Sequence, residues 1–259
     1  MANERYAEFT EETPKSFVQG LFEESATKKQ ALGTIRRLSD GREFVYAKMG
    51  ATVAVAGKLY QSVVMDAANV ANVTVANANV GDRALTITPV TVLTADAVAN
   101  AFADGYVHVC AGAANGMAYK IKSHPALTAN TANAFQLFDK LRNANVATAT
   151  SKVTLTRHPC KDVIIHPSPP TGALAGVATF PVTANYYAWL QKKGPCPVEA
   201  DGTLVAGEYA YASNAADGCV APAPANAANI ITNPELKYPV GRVIGADAND
   251  MWALIDLNL

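Results

Sequence analysis

The chain has 259 residues, 50% of them hydrophobic and only 17% charged, against about 25% charged in an average globular protein. Twenty-one Lys and Arg balance 22 Asp and Glu, and a net charge of −1 lacks the clustered positive excess that phosphate backbones demand. The same balance argues against a disordered acidic tail, and no run of about 18 apolar residues is present to form a membrane-spanning helix.

Residues 1–32 stand apart. They carry Glu4, Glu8, Glu11, Glu12, Glu23 and Glu24, then Lys28 and Lys29, with aromatic residues at Tyr6, Phe9, Phe17 and Phe22. The polar start does not read as a secretory signal. Pro14 and Gly20 break any long helix, while Phe17, Gly20, Leu21 and Glu24 fit one short helix over 15–26. The segment is too polar for a core and too aromatic for a plain linker. It reads as an arm that docks on something, either a partner or its own domain.

From Gly33 the pattern is strand and turn. Alanine is abundant but interleaved with Val, Thr, Asn and Gly, a mixture that disfavours long helices. Residues 32–50 predict two strands around Ser39-Asp40-Gly41, since Asp-Gly between alternating residues is a hairpin signal. A turn at Ala56-Gly57 precedes KLYQSVVM. Residues 73–92 predict strands broken at Gly81-Asp82, and 104–124 predict a hairpin with a Gly- and Asn-rich tip. Ala134, Leu137, Phe138 and Leu141 recur at helical spacing and predict a helix over 131–143. KVTLTRH and DVIIHP resume the strand pattern.

PSPPTG at 167–172 predicts a stiff linker, because adjacent prolines and a glycine favour an extended connector. Beyond it, turns at Lys193-Gly194, Asp201-Gly202, Ala206-Gly207 and Asp217-Gly218 predict short strands of an all-β unit, closed by two strands around Asp247–Asp250. VAVAGKLYQS at 53–62 and TLVAGEYAYAS at 203–213 echo each other, as two β units of one kind would. The expected fold is mainly β. It has two small sandwich-like or barrel-like domains at 33–166 and 173–259, one or two short helices, and an extended N-terminal arm at 1–32.

Few residues suggest chemistry. No G-x-S-x-G, phosphate loop, dinucleotide fingerprint, H-E-x-x-H or EF-hand pattern occurs. His108 and Cys110, with His158 and Cys160, form two i, i+2 pairs that would give a Cys2His2 zinc site if strands brought them together. The simpler reading is core residues and free thiols. Cys196 and Cys219 complete the set, and no C-x-x-C occurs. Asp247, Asp250 and Asp256 suit solvated turns better than a cation site. The pairs Arg36/Arg37 and Lys192/Lys193 suit guarded strand edges. Tyr186, Tyr187 and Trp189 suit either core packing or an aromatic platform for a carbohydrate or a partner.

The unit from Gly176 to Leu257 resembles the small β domains of tailed-bacteriophage head decoration (capsid cement) proteins. The shared features are an early apolar-polar strand, the D-G-T-x-x-x-G-[EK] turn from Asp201 to Glu208, the G-x-V step from Gly218 to Val220, and the final V-G-R-V-I-G…A-L-I-D-L run. Residues 31–50 and 105–124 are similar to segments of virion structural proteins of uncharacterised tailed phages. Many decoration proteins are about half this length, so 33–165 would be an added β domain.

The resemblance implies a protein without catalytic, cofactor or metal residues. It would sit on the exterior of an icosahedral head after synthesis in the host cytoplasm. Its partners would be the major capsid protein and copies of itself as trimers or dimers, with neither nucleic acid nor membrane. The arm would dock on the capsid through Phe9, Phe17, Leu21 and Phe22 as apolar anchors. The alternative from another class is a glycan-binding or fibre/adhesin β domain using Tyr186, Tyr187 and Trp189.

Overall fold

A computed structural model describes residues 17–65, 70–89, 97–142, 145–223, 239–247, 249 and 251–259. Among these, sixteen strands follow in chain order: β1 (Ile35–Arg37), β2 (Glu43–Lys48), β3 (Leu59–Gln61), β4 (Val73–Val75), β5 (Ala84–Thr88), β6 (Tyr106–Ala111), β7 (Ala118–Ser123) and β8 (Asn133–Leu137). The second half supplies β9 (Lys152–Thr156), β10 (Ile164–Ile165), β11 (Leu174–Ala178), β12 (Tyr187–Glu199), β13 (Tyr209–Ala212), β14 (Val220–Pro222), β15 (Pro239–Ala246) and β16 (Trp252–Asn258). The protein is nearly all β, as the sequence predicts.

The domain boundaries differ from the expected ones. One compact unit is 64–158, and the other joins 1–63 to 159–259. The first unit is therefore an insertion, flanked by β3 and β10, which pair antiparallel with Ile164 opposite Gln61. PSPPTG is not an interdomain linker. Thr171 donates its amide to Gln61 Oε1 at 3.0 Å, and Ser168 Oγ donates to Asp217 Oδ1 at 2.8 Å, so this strap is bound inside the second unit. Composition marks a rigid turn there, but only long-range strand pairing decides which body the turn belongs to.

The inserted unit is a closed barrel in the order β4-β5-β8-β7-β6-β9, with β9 returning to β4. Period-two alternation sends Leu85, Ile87, Val107, Val109, Tyr119, Ile121, Phe135, Leu137, Val153 and Leu155 inward. Closure removes both sheet edges. The predicted helix over 131–143 is a correction: 133–137 is β8, alternating buried Asn133, Phe135 and Leu137 with exposed Ala134 and Gln136. Both periods fit these few residues. Pairing with β5 and β7 settles the competition, because an unfilled slot would leave two strand edges unsatisfied.

The second unit is a curled ten-stranded sheet, ordered β10-β3-β11-β12-β16-β15-β13-β14, with β2 also on β12 and β1 on β2. The hairpin expected around Asp40-Gly41 forms, pairing Arg36 with Phe44, and Gly41 takes the left-handed φ of 87° that the turn requires. The turn expected at Lys193-Gly194 is instead the middle of β12, where that strand leaves β2 and pairs with β16. The two V-A-G echoes each form a turn feeding a strand of this one sheet, β3 and β13, so they do not mark two units. Curling brings the two ends of the sheet together. Leu59 donates its amide to the Gly218 carbonyl at 2.8 Å, and Gly218 donates to the His166 carbonyl at 3.0 Å. Leu59, Val177, Cys196, Val198, Val243, Ile255 and Leu257 fill the interior.

Candidate partner interface

The N-terminal half of β12 is buried without alternation from Ala188 to Gln191. A strand buried on both faces needs two covers. On one face Ala188 and Leu190 pack with Val45, Ala47, Tyr60 and Val182. On the other, Trp189, fully buried, packs with Leu32, Phe44 and Tyr46, and the cover is supplied by Phe17, Leu21 and Leu38. Phe17 meets the Trp189 ring edge-on at 5.4 Å between centroids, and Arg36 lies 4.8 Å over Phe17.

Polar contacts fix this cover in one position. Gln19 is 2% exposed. Its Nε2 donates to the Glu23 and Tyr187 carbonyls at 2.7 and 2.9 Å, and its Oε1 accepts the Tyr46 hydroxyl at 2.7 Å. Its own carbonyl accepts the Trp189 indole N–H at 3.3 Å. Ser25 and Tyr187 exchange two backbone hydrogen bonds at 3.0 and 2.8 Å, a one-residue strand addition. Glu24 accepts from the Thr183 amide and hydroxyl at 2.5 and 2.8 Å. Burial pushes the Tyr46 phenol above its usual pKa, partly opposed by the Lys29 amide that donates to it.

The four expected anchors therefore separate. Phe17 and Leu21 are committed to the protein's own sheet. Phe9 lies outside the described residues. Phe22 is 61% exposed and touches Phe180 edge-on at 6.4 Å, with Val18, 68% exposed, on the same segment. Over 17–26 the chain runs in bends and turns rather than the expected helix, because Gln19 and Ser25 take their partners from β12. Gln19 is the residue that sequence reasoning misses. A glutamine in a polar segment carries no signal until its partners are known.

The aromatic triplet does not form an exposed platform. Trp189 is core, and Tyr187 stacks on Tyr46 at 6.0 Å. Of the four residues of the candidate zinc set, His108, Cys110 and His158 fall in the unit 64–158 and Cys160 just past its end. Among the described residues no three His, Cys, Asp or Glu side chains group to hold a metal ion. All four cysteines are free thiols, with Cys110 exposed and the others buried. Burial lifts Cys160 to a pKa of about 11 and Cys196 to about 12. A bulky disulfide reagent is accordingly expected to titrate one thiol in the native protein, lost in Cys110→Ser, and all four in denaturant. Reaction of a second native thiol at a comparable rate would contradict this burial.

Against this geometry, the comparisons with known proteins are empty: no family model, no curated protein and no solved structure matches the chain.

Proposed function

We propose that this is a structural virion protein that binds the exterior of an icosahedral phage head and bridges capsomers, with its N-terminal segment docking on the major capsid protein. The observation that supports it most is the fastening of residues 17–25. The chain reaches β12 through a buried glutamine, an indole bond and a strand bridge, so the residues before Phe17 start from a fixed point. Those residues hold Tyr6 and Phe9 among Glu4, Glu8, Glu11 and Glu12. Phe22 and Val18 stand exposed beside that point.

The division of labour is physical. A segment that orders only on binding loses chain entropy, which lowers affinity per unit area. Fixing residues 17–25 in advance removes their share of that loss, and assembly as dimers or trimers makes later contacts intramolecular. Phe22 and Phe9 then act as the capsid anchors, while Phe17 and Leu21 hold the root.

The test is co-sedimentation with shells assembled from the major capsid protein of the same genome. Wild-type protein is expected in the pellet. Truncation of residues 1–16, or Phe22→Asp, is expected to weaken binding by about 2 kcal/mol, roughly thirtyfold, with the melting curve unchanged. Wild-type protein remaining in the supernatant at all concentrations would refute the reading.

A further inference from the structure

The seam where the curled sheet meets itself holds a nucleophilic cluster with no part in the proposed docking. Lys58, just before β3, reaches across to β12 and to the turn before β14. Its Nζ lies 2.7 Å from Glu199 Oε1 and 3.1 Å from Cys219 Sγ, and it donates to the Asp217 carbonyl at 3.1 Å. Cys219 Sγ lies 3.6 Å from the same Glu199 oxygen. Two observations show that the approach is built in. Gly218 has a φ of 71°, and a Cβ there would stand 2.8 Å from Lys58 Cδ, so only glycine lets the lysine stem pass. Backbone bonds from Leu59 to Gly218 and from Glu199 to Gly57 hold the two sides in register.

We infer that Lys58 and Cys219 form an oxidation-dependent covalent cross-link that latches this seam. Peroxide is the oxidant. In the first step the Cys219 sulfur attacks a peroxide oxygen, the O–O bond breaks, and sulfenic acid and one water result. In the second, Glu199 takes a proton from the Lys58 ammonium. The amine lone pair then attacks sulfur, the S–O bond breaks, hydroxide takes the proton that Glu199 holds and leaves as water, and Glu199 takes the remaining proton from the positively charged nitrogen. The product is an Nζ–Sγ bond, with sulfur oxidised by two electrons and peroxide reduced. A second peroxide that inserts one oxygen between nitrogen and sulfur, releasing one water, leaves the same two residues joined.

The surroundings suit a slow latch. Cys219 is 2% exposed, whereas the Lys58 and Glu199 side chains are 17% and 34% exposed, so small oxidants have an approach that bulky ones lack. Burial raises the Cys219 pKa, and the nearby Lys58 ammonium only partly offsets it. Burial also disfavours the Lys58 ammonium, but Glu199 and Cys219 outweigh it and hold its pKa above the usual lysine value. The resting pair is thus protonated at both atoms, and Glu199 is the group placed to move the proton.

The experiment uses the full chain carrying Cys110→Ser, which removes the exposed thiol. The protein is held in dilute hydrogen peroxide over hours, then digested without reductant and weighed. A joined peptide containing Lys58 and Cys219 is expected, lighter than its parts by two hydrogens or, with the inserted oxygen, heavier by one oxygen less two hydrogens, and released by dithiothreitol. It is expected to be absent in Lys58→Arg, which keeps a cation for Glu199, and in Cys219→Ser, with both variants melting cooperatively. Because the link closes a span of 161 residues, thermal unfolding of the oxidised protein is expected to shift up by several degrees. Cys219 recovered as free thiol, or as sulfenic or sulfinic acid without Lys58 attached, would overturn the inference. Neither result bears on capsid binding, which is read separately by co-sedimentation.

Discussion

Trp189→Ala is expected to destabilise the curled sheet by about 3–5 kcal/mol, the range for truncating a fully buried large aromatic residue. Trp189 is 0% exposed and sits between Tyr46, at 5.0 Å edge-on, and Phe17. Its removal also takes the indole hydrogen bond from the Gln19 carbonyl, leaving it only Arg36 Nη1 at 3.4 Å, and takes from Phe17 the ring it meets edge-on. The loss therefore reaches the N-terminal segment. Protease is expected to cut within 17–25 in the variant under conditions where the wild type resists. Chemical denaturation followed by circular dichroism measures the first effect, and the cleavage site measures the second. An unchanged midpoint with an intact segment would show that residues 17–25 hold without the indole.

The second large effect is alkaline. Cys160 and Cys196 have pKa values of about 11 and about 12 when folded, against 9.0 for the free thiol, and burial also raises Tyr46 and Tyr60 above 10.0. In each case the folded state holds its proton more tightly than the unfolded chain. Stability from these groups is complete below pH 9, where both states are protonated. It falls as the unfolded chain ionises, and it is gone once pH passes the folded values. Each tenfold tightening of proton binding on folding corresponds to about 1.4 kcal/mol. Denaturant midpoints are expected to fall steeply between about pH 9 and 12, with the slope reduced in Cys160→Ala and Cys196→Ala when each is compared with its own value at pH 8. A flat profile to about pH 11 would mean that the thiols titrate as exposed groups.

How far the sequence reveals this molecule depends on the range of the interactions concerned. Asp40-Gly41, the 106–123 hairpin and the final β15–β16 pair are local, and each rests on a turn whose residue types are diagnostic. The run at 133–137 is legible only as apolar. Its partners, β5 and β7, lie elsewhere in the sequence, and they make it a strand. The domain boundaries are hidden for the same reason, since Gln61 recognises Ile164 and Thr171 across more than 100 residues. At the interface, the aromatic character of 17–22 is visible as a docking signal. Its target is not, because Trp189 as a buried cover and Trp189 as an exposed platform read identically in sequence.

The insertion of the barrel between β3 and β10 sets an order on folding during synthesis. All six strands of the barrel and all their pairings lie within 64–158, so it is able to close while the rest is still being made. The strands made first cannot finish. β2 waits for β12, beginning at residue 187, and β3 waits for β10 and β11, beginning at 164 and 174. Through that interval Phe44, Tyr46 and Leu59 have no cover, which makes the emerging chain most prone to aggregation before residue 199 appears. A compact barrel already formed shortens the effective span that β3 and β10 must close, because a folded insert replaces a flexible loop of the same residues.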